Sequence, residues 1–270
     1  MRGPRLVEVD IEDHLPTVLD TAGLQGGQPV LVVIGGAAGL SGEAEKVARQ
    51  VIQQVAVPAA LRSGAAIVDG GTDSGVMRLV GRAHATAGTQ TPVVGVAVRQ
   101  LVRLPEHAGS GVTDAADAAD AADAEPHHTH LVLVPGTSWG DESAWLSMVA
   151  AHLAAGCDAV TLVVNGGAIT LSDVRHSVAA GRPVVVAAGT GRSADLLVAA
   201  LGADGSAPGE DDTGQVASAV ASGLVTVLDP DWPVAAQRDQ LSRLLRQRQC
   251  GDHRGSPGDL DRECADRPSE

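Results

Sequence analysis

The chain has 270 residues, is 44% hydrophobic and carries a formal net charge of −14, with no Phe or Tyr and only Trp139, Trp145 and Trp232 as aromatics. Lys46 is its one lysine and no dense Lys/Arg cluster is visible, which excludes a general nucleic-acid surface, since such surfaces neutralise phosphates with cations. Cys157, Cys250 and Cys264 are too few and too scattered for a disulfide framework or a metal knuckle. They predict reduced thiols in a cytoplasmic protein, and no run of about 18 apolar residues predicts a membrane span.

Residues 1–28 read as a lead-in with room for short structure and without an apolar signal core. "PVLVVIGG" (29–36) predicts a buried strand ending in glycines, and "SGEAEKVARQVIQQVAVP" (41–58) a helix with Ser41 as N-cap and acidic residues in its first turn. "AAIVDGG" (65–71) predicts a second strand, 74–87 a helix and "TPVVGVAV" (91–98) a third strand. The pattern then breaks at "TDAADAADAADAE" (113–125), and an acidic, flexible insert is expected over 103–128. Its "HHTH" end (His127, His128, His130) has no carboxylate or cysteine at ligand spacing, so a solvent-facing loop end is expected rather than a metal site.

Strand "THLVLVPG" (129–136) resumes the alternation, with a helix near 141–155. Strands "AVTLVVNGG" (159–167) and "RPVVVAAG" (182–189) follow, with helices near 170–180 and 193–202. A loop is expected over 203–215, a last strand at 224–229 and a last helix at 234–249. The tail, 250–270, is polar and is expected to be disordered. Apolar strands alternating with helices predict a single Rossmann-like α/β domain over 29–249: a doubly wound, mostly parallel sheet in three α/β/α layers.

Right-handed crossovers put the strand C-termini on one edge, where ligands of such sheets bind. Five loops of small residues collect there. They offer Gly35 and Gly36; Gly70, Gly71, Thr72, Ser74, Gly75 and Met77; Gly136, Thr137 and Ser138; Asn165, Gly166, Gly167, Ala168 and Thr170; and Gly189, Thr190, Gly191, Arg192 and Asp195. Missing side chains let a ligand approach the backbone, and helix N-termini behind the loops favour an anion such as phosphate. Ser193 adds a hydroxyl, Arg192 a bidentate phosphate donor, and Asp195 a helix cap or a ribose acceptor. Neither GxGxxG nor GxxxxGK[ST] is present, and Ser193 lacks a G-x-S-x-G setting.

"GGTDSGVM" (70–77) resembles the GGxxxGxM loop of the SLOG superfamily, which joins cytokinin-activating phosphoribohydrolases with the DNA-processing protein DprA. "HLVLVPGTS", "TLVVNGG" and "PVVVAAGTGRSAD" follow in the order found in the LSDAT branch, the N-terminal cytosolic region of melastatin-type channels and its prokaryotic relatives. The resemblance covers about residues 30–200. It implies a Rossmannoid domain sensing a nucleotide-derived ligand, ADP-ribose-like or NAD-like, in a signalling or conflict system, with an effector or a second copy open as partner.

The hydrolases of this superfamily cleave the base–ribose bond with the Glu of PGGxGTxxE. Here "NGGAITLSD" carries Asp173 at that position, Asn165 for Pro and Ile169 for a Gly. One methylene less changes the carboxylate's reach. Ligand binding without turnover is therefore favoured over N-glycosidic hydrolysis, with no catalytic residue beyond Asp173 and no certain cofactor or metal. An oligomeric scaffold using Leu241, Leu244 and Leu245 is the third reading. Trp139 is either a base-stacking lid or a core residue.

Overall fold

The computed structural model describes residues 3–37, 39–104, 120–202 and 213–246. Eight strands form one all-parallel sheet: β1 (Arg5–Glu8), β2 (Val30–Gly35), β3 (Ala66–Asp69), β4 (Val93–Val98), β7 (His130–Val134), β8 (Ala159–Val164), β9 (Val184–Ala187) and β10 (Val225–Leu228). A separate parallel pair joins β5 (Val102–Arg103) to β6 (Ala122–Asp123). The helices are α1 (Leu15–Thr21), α2 (Gly42–Gln50), α3 (Val57–Ser63), α4 (Gly75–Ala87), α5 (Ser143–Ala154), α6 (Ala168–Ala179), α7 (Arg192–Gly202), α8 (Thr213–Ala221) and α9 (Val234–Leu244).

The sheet order is β1-β7-β4-β3-β2-β8-β9-β10. The chain steps outward from β2 to β7, returns by α5, and starts again on the other side of β2 with β8. The strand order therefore reverses between β2 and β8, where the exiting loops diverge and leave a crevice. β-branched residues fill the inner strands, and both faces are covered. Val30, Val32 and Ile34 join a core with α1 and α5–α8 residues such as Leu19, Leu146, Leu171, Leu197 and Val216. Leu31 and Val33 join the opposite core with Ile52, Val76 and Leu241. This is the expected three-layer sandwich, filled almost wholly by aliphatic side chains.

The short structure of the lead-in includes an edge strand, with Arg5 to Glu8 registered on His130 to Leu133. Several expectations need correction. The helix expected over 41–58 runs on to Ser63 through a π-helical stretch at Val51–Ala56. Pro58 lacks the N–H that an α-helix would donate to the Gln54 carbonyl. Arg238 of α9 donates to that carbonyl instead, at 3.1 and 2.7 Å, and the π stretch absorbs the change of register. Leu241 and Leu245 are fully buried against their own chain, so the face weighed as a scaffold surface is internal packing.

The segment expected to be flexible is partly built into the fold: 103–104 and 120–128 have defined places, and 105–119 lies outside the described residues. The polar tail and most of the 203–215 loop also lie outside them. Cys157 is disulfide-bonded where reduced thiols were expected. Among the described residues, no helix is long and apolar enough to cross a membrane.

Candidate functional site

The loops after β2, β3, β7, β8 and β9 share the C-terminal edge, as the parallel order requires. At the reversal between β2 and β8 they surround a cavity of about 570 Å³. Gly35, Gly36 and Ala37 form one side, and Gly70, Thr72, Ser74 and Met77 a second. Gly167, Ala168, Ile169 and Thr170 at the start of α6 form a third, with Asp173 and Arg192 beside them. Trp139, Glu142 and Leu146 close the remaining wall together with Asp120 and Ala122.

The five loops are not equivalent. Thr137 and Ser138 donate their backbone N–H groups to the Asp141 carboxylate at 2.8 and 3.1 Å, which holds that carboxyl below its usual range. Gly189 and Gly191 donate theirs to Asp195 at 2.8 and 3.1 Å. Each loop thus already holds a tethered anion where a phosphate would sit, and Asp195 is engaged as a loop clamp rather than turned to a ribose. None of Gly136, Thr137, Ser138, Gly189, Thr190, Gly191 or Asp195 lines the cavity.

Asn165 and Gly166 are also structural. Asn165 is buried in a left-handed conformation (φ 61°) that Asn tolerates better than most residues. It ties β8 to the next loop, its N–H donating to the Thr190 hydroxyl at 2.9 Å and its side-chain amide to the Thr190 carbonyl at 2.7 Å. Thr190 in turn donates to the Ala187 carbonyl at 2.7 Å, and Ser193 to the Gly167 carbonyl at 3.1 Å.

The glycines of "GGTDSG" act by close approach. Gly71 has φ 67° and packs its backbone against Gly95 of β4, and a Cβ on Gly71 would lie 2.6 Å from Leu131 Cδ1. Gly75 has φ 45°, and a Cβ there would strike the Gly36 carbonyl and Ala37. The β2 and β3 loops therefore touch backbone to backbone. Ser74 precedes α4 without capping it by its side chain, bonding instead to Thr72 at 2.8 Å.

Arg192 is the cationic side chain of the cavity wall. Its φ of 54° is left-handed, which costs a non-glycine residue about 1–2 kcal/mol. The guanidinium lies across the crevice: a Cβ on Gly167 would be 2.7 Å from Nη2 and one on Gly39 would be 3.2 Å from Nη1. Those two glycines, one in each diverging loop, make room for it.

Asp173 lines the cavity with Glu142. Burial pushes the Asp173 carboxyl up to about 7, tempered by the Ser143 hydroxyl and reinforced by the charge of Glu142. Burial also raises Glu142, whose Oε2 accepts the Gly140 N–H at 2.8 Å. Two carboxyls on one wall are thus shifted towards their neutral form, and Asp173 is the one that can exchange a proton near neutral pH.

Behind the "GGTDSG" loop lies a buried charge cluster. His128 bridges Asp69 Oδ1 at 2.7 Å and Glu125 Oε2 at 2.8 Å, and His127 reaches Glu125 Oε1 at 2.7 Å. Burial alone would lower His128, but the two carboxylates outweigh it and raise the imidazole to about 9. The same chain segment brackets the loop: Glu125 N–H donates to the Gly71 carbonyl at 2.9 Å, and Asp73 N–H to the Asp123 carbonyl at 2.7 Å. His128 is thus 3% exposed, correcting the expected solvent-facing loop end.

Sequence reasoning missed Asp69, Glu125 and Glu142. An acidic residue closing a buried strand marked Asp69. Glu125 bonds to the neighbouring His127 and His128 and Glu142 to the neighbouring Gly140, but what places them, Gly71 against the Glu125 N–H and Asp173 beside Glu142, is distant in sequence. Among the described residues, no group of three His, Cys, Asp or Glu side chains is placed to hold a metal ion.

A family model described as "SLOG in TRPM, prokaryote" matches residues 28–235. No curated protein matches the chain.

Proposed function

The chain belongs to the prokaryotic LSDAT family, described as SLOG in TRPM, and on that premise we propose that its cavity binds a nucleotide-derived, ADP-ribose-like or NAD-like ligand without turning it over. The observation that carries this reading is Arg192, held in a costly backbone conformation with its guanidinium between the two loops that diverge at the strand-order reversal. Strain of this kind persists where surrounding structure over-determines it, as at ligand sites. A phosphate or pyrophosphate meets that guanidinium bidentately and the N-terminus of α6 beside it, where Gly167 and Ala168 line the cavity. Thr72 and Ser74 offer hydroxyls, and Trp139 offers a face on which a base stacks. Ile169 lines the cavity with a branched side chain where the hydrolase motif has a glycine, which supports ligand binding over hydrolysis.

Calorimetry with ADP-ribose, NAD, AMP and cyclic nucleotides tests the proposal. At least one is expected to bind, and Arg192→Ala to weaken it more than tenfold. Failure of the whole panel to bind would refute it. The Asp173–Glu142 pair favours one second reading, N-glycosidic hydrolysis with Asp173 as the acid–base group. Free base released from a nucleoside monophosphate, and abolished in Asp173→Asn, would establish that reading instead.

A further inference from the structure

We propose a second anion site, for a phosphate or pyrophosphate group, in the smaller cavity formed by Arg49, Arg78 and Arg82. This cavity of about 270 Å³ lies between the β2–α2 loop and the faces of α2 and α4, and it shares Ala37 with the larger one. The proposal stands independently of what the larger cavity binds.

Charge and spacing carry the argument. In a chain of net charge −14, three guanidinium groups meet one carboxylate, Glu45, around one hollow. Arg49 is paired with Glu45 and Arg78 with Asp73 at 2.7 Å. Arg82 makes no side-chain hydrogen bond or ion pair among the described residues. It stands four residues after Arg78 on α4, on the same helix face, where a like-charge pair is mildly destabilising and the Asp73 carboxylate is paired with Arg78 alone. No packing role offsets that repulsion, because Arg82 is exposed. The loop side is built of Ala37, Gly39, Leu40 and Gly75, so little side-chain bulk keeps an anion from the arginines. Guanidinium groups on facing helices match the oxygens of a phosphate two at a time, and the hollow is roomy enough for a pyrophosphate.

The anion is either free or the far end of a ligand whose other end lies in the larger cavity. Both have the same chemistry at the arginines, and the test separates them. The full-length chain is titrated calorimetrically at low salt with pyrophosphate and with ADP, as wild type, Arg82→Ala, Glu45→Gln and Arg192→Ala. The site requires pyrophosphate to bind wild type, to weaken at least tenfold in Arg82→Ala, and to tighten severalfold in Glu45→Gln. The last result cannot come from misfolding. ADP affinity that falls in both Arg82→Ala and Arg192→Ala marks one ligand spanning the two cavities; ADP affinity indifferent to Arg82 marks a separate anion. No pyrophosphate binding by wild type, or binding that responds to Arg192→Ala and ignores Arg82→Ala, overturns the proposal.

Discussion

Replacing His128 by glutamine tests the buried cluster that braces the "GGTDSG" loop. His128 lies between the Asp69 and Glu125 carboxylates at 2.7 and 2.8 Å, fully enclosed. Its pKa rises from 6.5 to about 9 in the fold. Because the folded value is the higher one, the imidazolium stabilises the fold fully below pH 6.5, and this contribution fades as pH climbs through about 9. A displacement of that size is worth about 3 kcal/mol, in line with about 3–5 kcal/mol for breaking a buried charge pair. Urea unfolding from pH 6 to pH 10 measures it. Glutamine keeps hydrogen-bonding capacity but no charge, so His128→Gln is expected to cost about 3 kcal/mol at pH 6 and far less at pH 10. Equal costs at both pH values would mean that His128 is not charged in the fold, and the electrostatic account would fail.

Asp173→Asn is expected to stabilise the protein above pH 7 by about 1–2 kcal/mol, a figure reduced because the cavity admits solvent. The folded pKa of Asp173 is raised to about 7, so its ionisation penalises the fold as pH rises from 3.8 towards 7, and the variant should match wild type near pH 4. Gly75→Ala drives a Cβ into the Gly36 carbonyl at a positive φ and is expected to cost about 2–4 kcal/mol, read by thermal unfolding. Trp139→Phe is expected to remove the ligand-induced change in tryptophan fluorescence while Trp145 and Trp232 still report the fold; an undiminished change would show that Trp139 does not meet the ligand.

The layers, the parallel sheet and the edge bearing the loops were legible in the sequence because each rests on local pattern: valine-rich runs, glycines after them, helix-period segments between. The strand order was not: right-handed crossovers set the face each helix covers, but neither the return from β7 to β8 beside β2 nor the edge strand β1 is written in a local pattern. What the pattern misses is how polar groups settle their accounts after folding. Asp141 and Asp195 take the N–H groups of their own loops, so two of five candidate anion sites are filled internally, and nothing in "PGTSWGD" or "GTGRSAD" announces that. Pro58 signals a helix end, and only the contact of Arg238 with the Gln54 carbonyl explains why the helix continues. Glu125 and His128 sit in what reads as an acidic, solvated run, yet the second carboxylate that holds His128, Asp69, lies more than fifty residues earlier in the chain.

The β5–β6 pair has a practical consequence. Val102 and Arg103 are registered on Ala122 and Asp123, and Arg103 donates to the Asp123 carboxylate at 2.8 Å. Beyond this clasp, Asp120 and Ala122 line the cavity and the Trp139 indole donates to the Asp120 carbonyl at 3.1 Å. Chain added between Leu104 and Asp120 is therefore anchored on both sides, and each doubling of its length adds only about 0.6 kcal/mol of closure entropy. A fluorescent reporter spliced there would be joined directly to the cavity wall. It would turn occupancy into an optical signal and allow candidate ligands to be screened inside living cells.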